Sequence, residues 1–326
     1  MKNQKVSVVV TCYNHEKYIE QCLRSVFAQT HKNIELFIFN DGSPDRSGEI
    51  IESILVGSPF EKTKYFCYDN MGIVKTRNKA LSMLSGDFIL FVDSDNFLDD
   101  SYVEKLLQCA NDTDSDIVYC DLYDPDKREI FLRVKEYSLE GMLKGNFIDN
   151  CSLIRRSIVN DIKYDRYFEK KKLLEDYDFF LQLIVKNGAK PRKCHSTKLN
   201  YRVLKNSRTR ERSWSYYYGV YSYIAIKYSK FYPKIVEKVL ELNFCDLIKQ
   251  IQERDRQIQE RDGQIQERDG QIQERDKQIQ EQDKQIQEQD KRYVEAITSK
   301  SWKIGRLITF PVRKIKEIKY KITNQK

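Results

Sequence analysis

The sequence has few residues from which a structural metal centre could be built. Only three His occur in 326 residues, and none of the eight Cys forms a C-x-x-C pair. Structural zinc sites use closely spaced Cys and His ligands, so the composition argues against one. Scattered cysteines are typical of proteins in a reducing compartment. We therefore expect free thiols and a cytoplasmic protein.

Long apolar runs are also missing. No stretch of the sequence approaches the roughly 20 apolar residues that a membrane-spanning helix needs. The apolar run Val6–Val10 is only long enough for a strand, and polar residues follow it, unlike the apolar core of a signal peptide. Hydrophobic residues still make up 40% of the chain, with 21 Tyr and 16 Phe. A folded core is therefore expected.

Acidic and basic residues are balanced except at one end of the chain. Residues 292–326 contain ten Lys or Arg and two acids, which accounts for the whole net charge of +8. The remaining residues are neutral as a group. A nucleic-acid-binding domain is expected to carry a basic surface on its folded part. We therefore expect no nucleic-acid partner.

Strand and helix patterns alternate along the first hundred residues. Apolar runs predict strands at Val6–Thr11, Ile34–Phe39, Tyr65–Tyr68 and Phe88–Val92. Apolar residues at helical spacing separate these strands around 19–27, 50–54 and 73–84. Less regular signals follow for strands at 117–120, 130–134 and 151–155, and for helices at 174–185 and 216–228. This order predicts an α/β fold with a mostly parallel sheet covered on both faces, whose ligands bind beyond the carboxyl ends of the strands.

Several carboxylates follow these strands or open a helix. Asp93 and Asp95 come after the fourth strand, where two carboxylates sharing a face suit Mg²⁺ or Mn²⁺ bound to a diphosphate; the alternative is a pair of solvated loop acids. Asp41 follows the second strand and either contacts a ligand or closes an Asx-turn. Glu175 and Asp176 open a helix, where acids also complement the helix dipole. Consecutive helical residues diverge by about 100°, so at most one of these two acids would face a given pocket.

The motifs extend from residue 6 to about residue 207. In order they are VSVVVTCYN (6–14), LRSV (23–26) with QT (29–30), NDGSPD (40–45), NMG (70–72), RN (77–78), GDFILFVDSDN (86–96) and EDYD (175–178). Each motif alone is weak, but the ordered set is specific. It resembles the family 2 glycosyltransferases, which are inverting enzymes with a GT-A fold.

The resemblance implies a nucleotide-diphosphate sugar as donor and a role for each matched position. Asp41 matches the residue that contacts the nucleotide base, Asp93 and Asp95 match the D-x-D pair that holds metal and diphosphate, and Asp95 is the more direct metal ligand. Asp176 matches the catalytic base. The other substrate-binding positions that the resemblance implies are Thr11, Tyr13, Asn14, Arg77, Asn78 and Glu175.

The same resemblance implies transfer of a sugar to a hydroxyl of a glycan or lipid-linked acceptor, as in bacterial surface polysaccharide synthesis. The Q-x-x-R-W signature of processive synthases is absent, so one sugar per encounter is expected. Two positions depart from the family pattern. Asn96 replaces a second Asp after the D-x-D pair, and Leu204 stands where many members have a His. No His role is therefore carried over at that point.

Six copies of a seven-residue repeat occupy residues 250–291. Ile recurs at 251, 258, 265, 272, 279 and 286. A seven-residue period is typical of a coiled coil, but only one apolar residue falls in each repeat. Gly263 and Gly270 weaken a helix by about 1 kcal/mol each. Both a self-associating stalk and a single solvated helix remain open.

The basic segment 292–326 contains Trp302 and several Ile among its Lys and Arg residues. Such a basic amphipathic segment favours binding to the anionic cytoplasmic face of a membrane. The alternative is a tail that packs on the catalytic domain or binds nothing.

We expect a GT-A domain over 1–210, a helical extension over 211–249, a heptad-repeat helix over 250–291 and a basic tail over 292–326. A second interpretation of function is a catalytically inactive coiled-coil scaffold that keeps a nucleotide-sugar-binding domain. Retention of the four matched aspartates argues against that interpretation.

Overall fold

The computed structural model describes residues 4–171, 174–204, 214–230 and 235–298. The chain divides into two compact units, Met1–Asp246 and Leu247–Lys326. Residues 205–213 of the predicted boundary region and 299–326 of the predicted basic tail lie outside the described residues. In the described parts of the chain, no helix is both long and apolar enough to cross a membrane.

The first unit alternates strands and helices from its amino terminus. Its strands are β1 (Val6–Cys12), β2 (Ile34–Asn40), β3 (Lys62–Cys67), β4 (Phe88–Asp93), β5 (Ile117–Asp124), β6 (Glu129–Leu132), β7 (Leu153–Arg155) and β8 (Pro191–Asn200). The helices between and after these strands are α1 (Ile19–Phe27), α2 (Ser47–Leu55), α3 (Ile73–Leu81), α4 (Tyr102–Asp112), α5 (Leu139–Lys144), α6 (Arg156–Val159), α7 (Tyr167–Lys171), α8 (Glu175–Asn187) and α9 (Trp214–Tyr228). A long helix, α10 (Ile235–Thr298), continues past the boundary between the units.

All eight strands of the described residues belong to one sheet. Its order is β3-β2-β1-β4-β7-β5-β6, and β8 pairs with β5. The first four strands in this order are parallel, as is the β5–β8 pair, whereas β4–β7, β5–β7 and β5–β6 are antiparallel. The prediction of a mostly parallel, helix-flanked sheet is confirmed.

Alternating residues of the central strands pack into two separate cores. On β1, Val9 belongs to the core that includes α8 and α9, whereas Val8 and Val10 belong to the core that includes α1, α2 and α4. A parallel strand buried on both faces is apolar at nearly every position. This is why the central strands could be recognised from continuous apolar runs.

The helix α9 packs into the same core as α8. Val220, Ile224 and Tyr228 are fully buried there, and Lys227 Nζ lies 2.7 Å from Asp178 Oδ2 of α8. The first compact unit therefore extends beyond the predicted boundary at residue 210, because a helix assigned to the extension completes the core of the sheet.

Strand β8 was not recognised in the sequence. It contains few apolar residues, and its buried Lys193 pairs with Asp121 of β5 at 2.8 Å. A charged residue in a buried strand breaks the apolar pattern on which strand prediction depends. Only its pairing with β5 identifies this segment as a strand.

Candidate active site

The carboxyl ends of neighbouring strands meet at one edge of the sheet. Thr11 near the end of β1 is paired in register with Phe39 of β2 and with Asp93 of β4. The backbone N–H of Asp41, directly after β2, donates to the carbonyl of Cys12 at 2.9 Å. The register therefore brings the predicted residues Thr11, Asp41 and Asp93 to one edge, where α/β sheets bind their ligands.

Asp41 is buried, and its carboxylate joins two loops. Its Oδ1 accepts the N–H of Met71 and its Oδ2 accepts the N–H of Gly72, each at 2.9 Å. The turn after β2 is closed instead by Asn40, whose Oδ1 accepts the N–H of Ser43 at 3.0 Å. The Asx-turn considered for Asp41 is therefore made by Asn40. Each oxygen of Asp41 keeps a second lone pair for a ligand.

Gly42 permits the close approach of these two loops. Its φ is +70°, and a Cβ at this position would lie 2.6 Å from the backbone nitrogen of Asn70. Any side chain would be strained here and would push the Asp41 turn away from residues 70–72. The NDG motif is thus needed for loop packing as well as for its carboxylate.

Arg77 of α3 is buried between two carboxylates. Its guanidinium donates to Asp93 Oδ1 at 2.8 Å and to Glu175 Oε1 at 3.0 Å. Burial alone would lower the pKa of Arg77, but the charges of Asp93, Tyr164 and Glu175 raise it above its usual value. The side chain stays charged and joins the end of β4 to the start of α8. Its Nε has no hydrogen-bond partner among the described residues, and the substrate contact predicted for Arg77 stays a prediction.

Glu175 and Asp176 are adjacent in sequence but differ in environment. Glu175 is buried against Arg77, whereas Asp176 is partly exposed. Asp176 Oδ2 accepts a hydrogen bond from Asn146 Nδ2 at 3.0 Å, and its Oδ1 accepts the N–H of Tyr177 at 2.8 Å. The two acids diverge as the rotation between helical residues predicts. The structure assigns the partly exposed position to Asp176.

The pKa of Asp176 is raised to about 6. Burial is the largest cause and the charge of Glu175 is the next, while Arg77 and the N–H of Tyr177 act in the opposite direction. A carboxylate whose pKa lies closer to neutrality is a stronger proton acceptor than an ordinary one. This property is what a general base requires.

Asp149 is a further acid in this region, and the sequence motifs did not identify it. Burial raises its pKa to about 7, with a further contribution from the charge of Asp93 and opposition from the N–H of Cys151. That N–H donates to Asp149 Oδ1 at 2.8 Å. Next to it, Asn150 is 3% exposed and its Nδ2 has no hydrogen-bond partner among the described residues.

The segment that carries Asn146, Asp149 and Asn150 connects α5 to β7. It matches none of the sequence motifs, and its short run of Asn and Asp before a strand is the only local signal. Its importance depends on contacts with residues distant in sequence. Asn146 reaches Asp176, and Asn150 Oδ1 accepts the hydroxyl of Tyr164 at 2.9 Å.

Asp93 and Asp95 are the carboxylates that the sequence assigns to a metal. Strand β4 ends at Asp93, so Asp95 lies in the turn that follows. Both residues are partly exposed, whereas Ser94 between them is fully buried. In the part of the chain that is described, no three His, Cys, Asp or Glu side chains are grouped to hold a metal by themselves. Two carboxylates fit Mg²⁺ or Mn²⁺ when a substrate diphosphate supplies further ligands.

Arg202 holds the backbone of this turn. Its N–H donates to Asn96 Oδ1 at 3.1 Å, and its guanidinium donates to the carbonyl of Asp95. The guanidinium also lies 5.0 Å from the ring centre of Tyr18 and 4.9 Å from that of Phe97. Asn96, the departure from the family pattern, is therefore a buried acceptor for Arg202. None of the sequence motifs includes Arg202.

The remaining predicted positions differ in whether their side chains bond within the protein or are exposed to a ligand. Thr11 Oγ1 donates to Asp93 Oδ1 at 3.2 Å, while the Tyr13 side chain is half exposed. Asn14 has a positive φ of 58°, and its N–H donates to Ser43 Oγ at 3.0 Å. Asn78 pairs with both backbone groups of Tyr164, each at 2.8 Å. Asn78 therefore fixes a neighbouring loop, whereas Tyr13 presents an exposed ring.

The sequence matches the family model for "Glycosyl transferase family 2" over residues 7–163. An uncharacterized glycosyltransferase of Haemophilus influenzae is 30% identical over 185 residues, which cover 55% of this chain and 71% of that protein. The putative glycosyltransferase EpsH of Bacillus subtilis is 39% identical over 120 residues, or 37% of this chain. The matched segment spans 34% of EpsH and 18% of the glycosyltransferase GlyA of Streptococcus pneumoniae.

Solved structures share the fold at low sequence identity. S. aureus TarS residues 1–349 in complex with UDP-GlcNAc has a TM-score of 0.59 and 21% identity, covering 72% of this chain and 69% of that one. The Pyrobaculum calidifontis mannosyltransferase PcManGT, in complex with GDP-Man and Mn²⁺, has a TM-score of 0.51 and 12% identity, covering 72% and 74%. These likenesses support the GT-A fold.

Proposed function

The chain belongs to glycosyl transferase family 2, and we propose that it moves one sugar from a nucleotide-diphosphate sugar to a hydroxyl of a glycan or lipid-linked acceptor. The observation that carries this proposal is the Arg77 bridge. One guanidinium binds both Asp93 and Glu175, so the next residue, Asp176, is held in fixed relation to the D-x-D turn. A proton acceptor and a diphosphate site are thereby positioned around one substrate.

In the proposed reaction, a hydroxyl oxygen of the acceptor attacks the anomeric carbon as the bond from that carbon to the diphosphate breaks. Asp176 accepts the hydroxyl proton as general base. The hydrogen bond from Asn146 to Asp176 Oδ2 holds the carboxylate in one orientation. A single displacement of this kind inverts the anomeric centre, and the nucleoside diphosphate leaves.

The donor is proposed to lie along the ends of β1, β2 and β4. Asp41, Thr11, Tyr13 and Asn14 are proposed to line the nucleotide site, and the neighbour TarS, solved with UDP-GlcNAc, supports a UDP-sugar as the first donor to test. Asp93 and Asp95 would hold a divalent cation, Mg²⁺ or Mn²⁺. When bound, this cation supplies positive charge to the leaving diphosphate. Arg77, Glu175 and Asn78 are proposed to hold the residues around this site in place through their hydrogen bonds.

We also propose that the enzyme adds one sugar per encounter in bacterial surface polysaccharide synthesis, on the cytoplasmic face of the membrane. The support is the absent Q-x-x-R-W signature and the basic segment 292–326 with its Trp and Ile residues. Flotation of the full-length protein with anionic and with neutral vesicles tests the membrane contact. Equal flotation with both would contradict an electrostatic anchor.

The test of activity is a screen of nucleotide-sugar donors with purified protein, in which released nucleoside diphosphate is measured. We expect one donor to dominate and EDTA to stop turnover, with Mg²⁺ or Mn²⁺ restoring it. NMR of the product then gives its anomeric configuration. Turnover that is unchanged in chelator would remove the metal from the proposal, and retention of configuration would remove the single displacement.

The same screen separates the enzyme from the inactive scaffold considered as the alternative. A scaffold would bind a nucleotide sugar, as measured by calorimetry, without releasing nucleoside diphosphate in the presence of any acceptor fraction. Release that depends on an acceptor would exclude the scaffold.

A further inference from the structure

The helix α10 carries a regular apolar stripe. Its six repeat isoleucines are each between 49% and 55% exposed, and they recur every seven residues from 251 to 286. An apolar residue at every seventh position of a helix returns to the same side, with a slow drift that a left-handed supercoil removes. The stripe is therefore suited to another helix that runs alongside it.

Charged residues on both sides of the stripe have no partner within the helix. If Ile takes position a of the heptad, Arg takes position d in the first four repeats and Asp takes position e in all six. Residues three or four positions away from either one are uncharged, namely Ile or Gln, or Tyr293 and Val294 after the last Asp. Neither the Arg nor the Asp can therefore form an intrahelical ion pair at these spacings. Within the described residues, the ion pairs of the repeats join Arg256 at position f to Glu253 and Glu260.

We propose that α10 binds a second copy of itself in a parallel, in-register, two-stranded coiled coil. In this arrangement the six isoleucines form layers with their counterparts, as β-branched residues at position a favour in parallel dimers. The Arg at position d of one chain lies beside the Asp at position e of the other. Each copy thus supplies the opposite charge that the other lacks.

The antiparallel alternative is disfavoured by the same pattern. It would place the e positions of the two chains next to each other, which brings Asp against Asp in every repeat. It would also set Ile against Arg instead of against Ile. A third strand would bury the Arg heads more deeply, and buried charges carry a large desolvation cost. Two parallel strands set Ile against Ile, and although they also bring Arg opposite Arg at position d of the first four repeats, each of these Arg has Asp at position e of the partner beside it.

Differences among the repeats support this assignment of positions. The residue at position f is Arg256, Gly263, Gly270, Lys277, Lys284 or Lys291. This position lies on the outside of a two-stranded coil, where glycine removes no contact with the partner. Position d is the only other variable one, and it changes from Arg to Gln in the last two repeats. The interchain Arg–Asp pairs are therefore expected in the first four repeats.

The first experiment measures the mass of the full-length protein by sedimentation equilibrium over a hundredfold range of concentration. We expect twice the chain mass of 38.9 kDa at the upper end. Replacing Ile258, Ile265 and Ile272 by Asp should give the single-chain mass throughout. The matched control places the same three charges at Gln259, Gln266 and Gln273 of position b, and it should keep the double mass.

The second experiment tests orientation and register by disulfide formation. Ile251→Cys should cross-link to itself in the full-length protein under mild oxidation, whereas Gln252→Cys should not. The native cysteines contribute the same background to both variants and to the unsubstituted chain. Cross-linking of Ile251→Cys only when it is mixed with Gln289→Cys, a position d residue at the other end of the repeats, would indicate antiparallel pairing and overturn the proposal.

A chain that stays monomeric at every concentration, or that forms a trimer, would also overturn it. Replacing the four Arg at position d by Glu should raise the dissociation constant at least tenfold, since each would then face Asp of the partner. The same change at Lys277, Lys284 and Lys291 of position f should have little effect. None of these measurements uses a sugar, so their failure is distinct from failure of the proposed glycosyltransferase activity.

Discussion

Two buried clusters of charge lie at opposite ends of the same strands, and they are built in opposite ways. Glu35, near the start of β2, is 1% exposed and receives hydrogen bonds from Lys62, Ser7, Ser85 and the N–H of Gly86. Burial alone would raise its pKa, but these donors lower it to about 2. One carboxylate is here surrounded by an excess of donors.

At the carboxyl ends of the strands the balance is reversed. Asp93, Asp149, Glu175 and Asp176 lie close enough to influence one another, and Arg77 is the buried cation among them. Burial, and after it the charges of these neighbouring carboxylates, raise the pKa values of Asp176 and Asp149 to about 6 and about 7. Buried charge therefore stabilises the fold where hydrogen-bond donors are in excess. Where carboxylates are in excess, they are able to bind a proton or a cation.

The largest expected effect is on the chemistry at the acidic end. Asp176→Asn removes the proton acceptor, so the rate of transfer should fall about a thousandfold. Binding of the nucleoside diphosphate, measured by calorimetry, should be nearly unchanged. Asp178→Asn is the comparison variant, because Asp178 bonds to Lys227 and should affect stability more than the chemical step. Full activity of Asp176→Asn would exclude this residue as the base.

At the other end, Glu35→Gln should lower the free energy of unfolding by about 3 kcal/mol, the value of a pKa depressed from 4.5 to about 2. This contribution is fully present above pH 4.5 and is lost as the pH falls towards 2, so the two proteins should converge in acid. Chemical denaturation measured over this range checks it. Glu20→Gln, which breaks the exposed pair with Arg24, should cost less than about 1 kcal/mol.

The pH dependence of transfer should reflect the raised pKa of Asp176. Since the base must be ionised, kcat/KM, which reports the pKa of the free enzyme, should be half its plateau at a pH of about 6 and should fall about tenfold for each further unit of acid. An ordinary aspartate would keep full activity to about pH 5. If full activity extends down to about pH 5, the pKa of Asp176 is not raised in the working enzyme. The excess negative charge of the neighbouring carboxylates would then be neutralised there.

The smallest effect is expected for the residue that orients the base. Asn146→Ala removes one hydrogen bond to Asp176, so kcat should fall about fivefold, corresponding to about 1 kcal/mol. That hydrogen bond favours the ionised carboxylate, and its loss should shift the acidic limb to higher pH. Asn187→Ala is the matched control, because Asn187 also donates one hydrogen bond, to the carbonyl of Ile158. A fall in kcat without a shift of the limb would indicate a structural role only.

Much of the fold could be predicted because the central strands are apolar on both faces. The runs beginning at Val6, Ile34 and Phe88 correspond to β1, β2 and β4, and their order places Asp41 and Asp93 at one edge. Elements away from these central strands could be predicted less well from the sequence. Strand β8 contains the buried Lys193, whose ion-pair partner Asp121 is more than seventy residues away in sequence. No local pattern therefore predicts this strand.

The residues of the candidate site also form two groups, those that sequence motifs identify and those that they do not. Sequence motifs identified Asp41, Asp93, Asp95 and Asp176, whose local context is a strand end or a helix start. They did not identify Asn146, Asp149 or Arg202, because these residues have no local pattern and act through distant contacts. The catalytic roles of Asp176 and Asn146 are predictions that the variants above test.

Four properties could be recognised from the amino-acid sequence: the alternation of strands and helices, the family, the position of the carboxylates along the chain and the seven-residue period of the long helix. These properties depend on local order, which periodicity and motifs record directly. The burial of Glu175 against Arg77, the partial exposure of Asp176 and the packing of α9 into the core are visible only in the folded protein. Burial and pKa depend on which distant groups come together, and no local pattern carries that information.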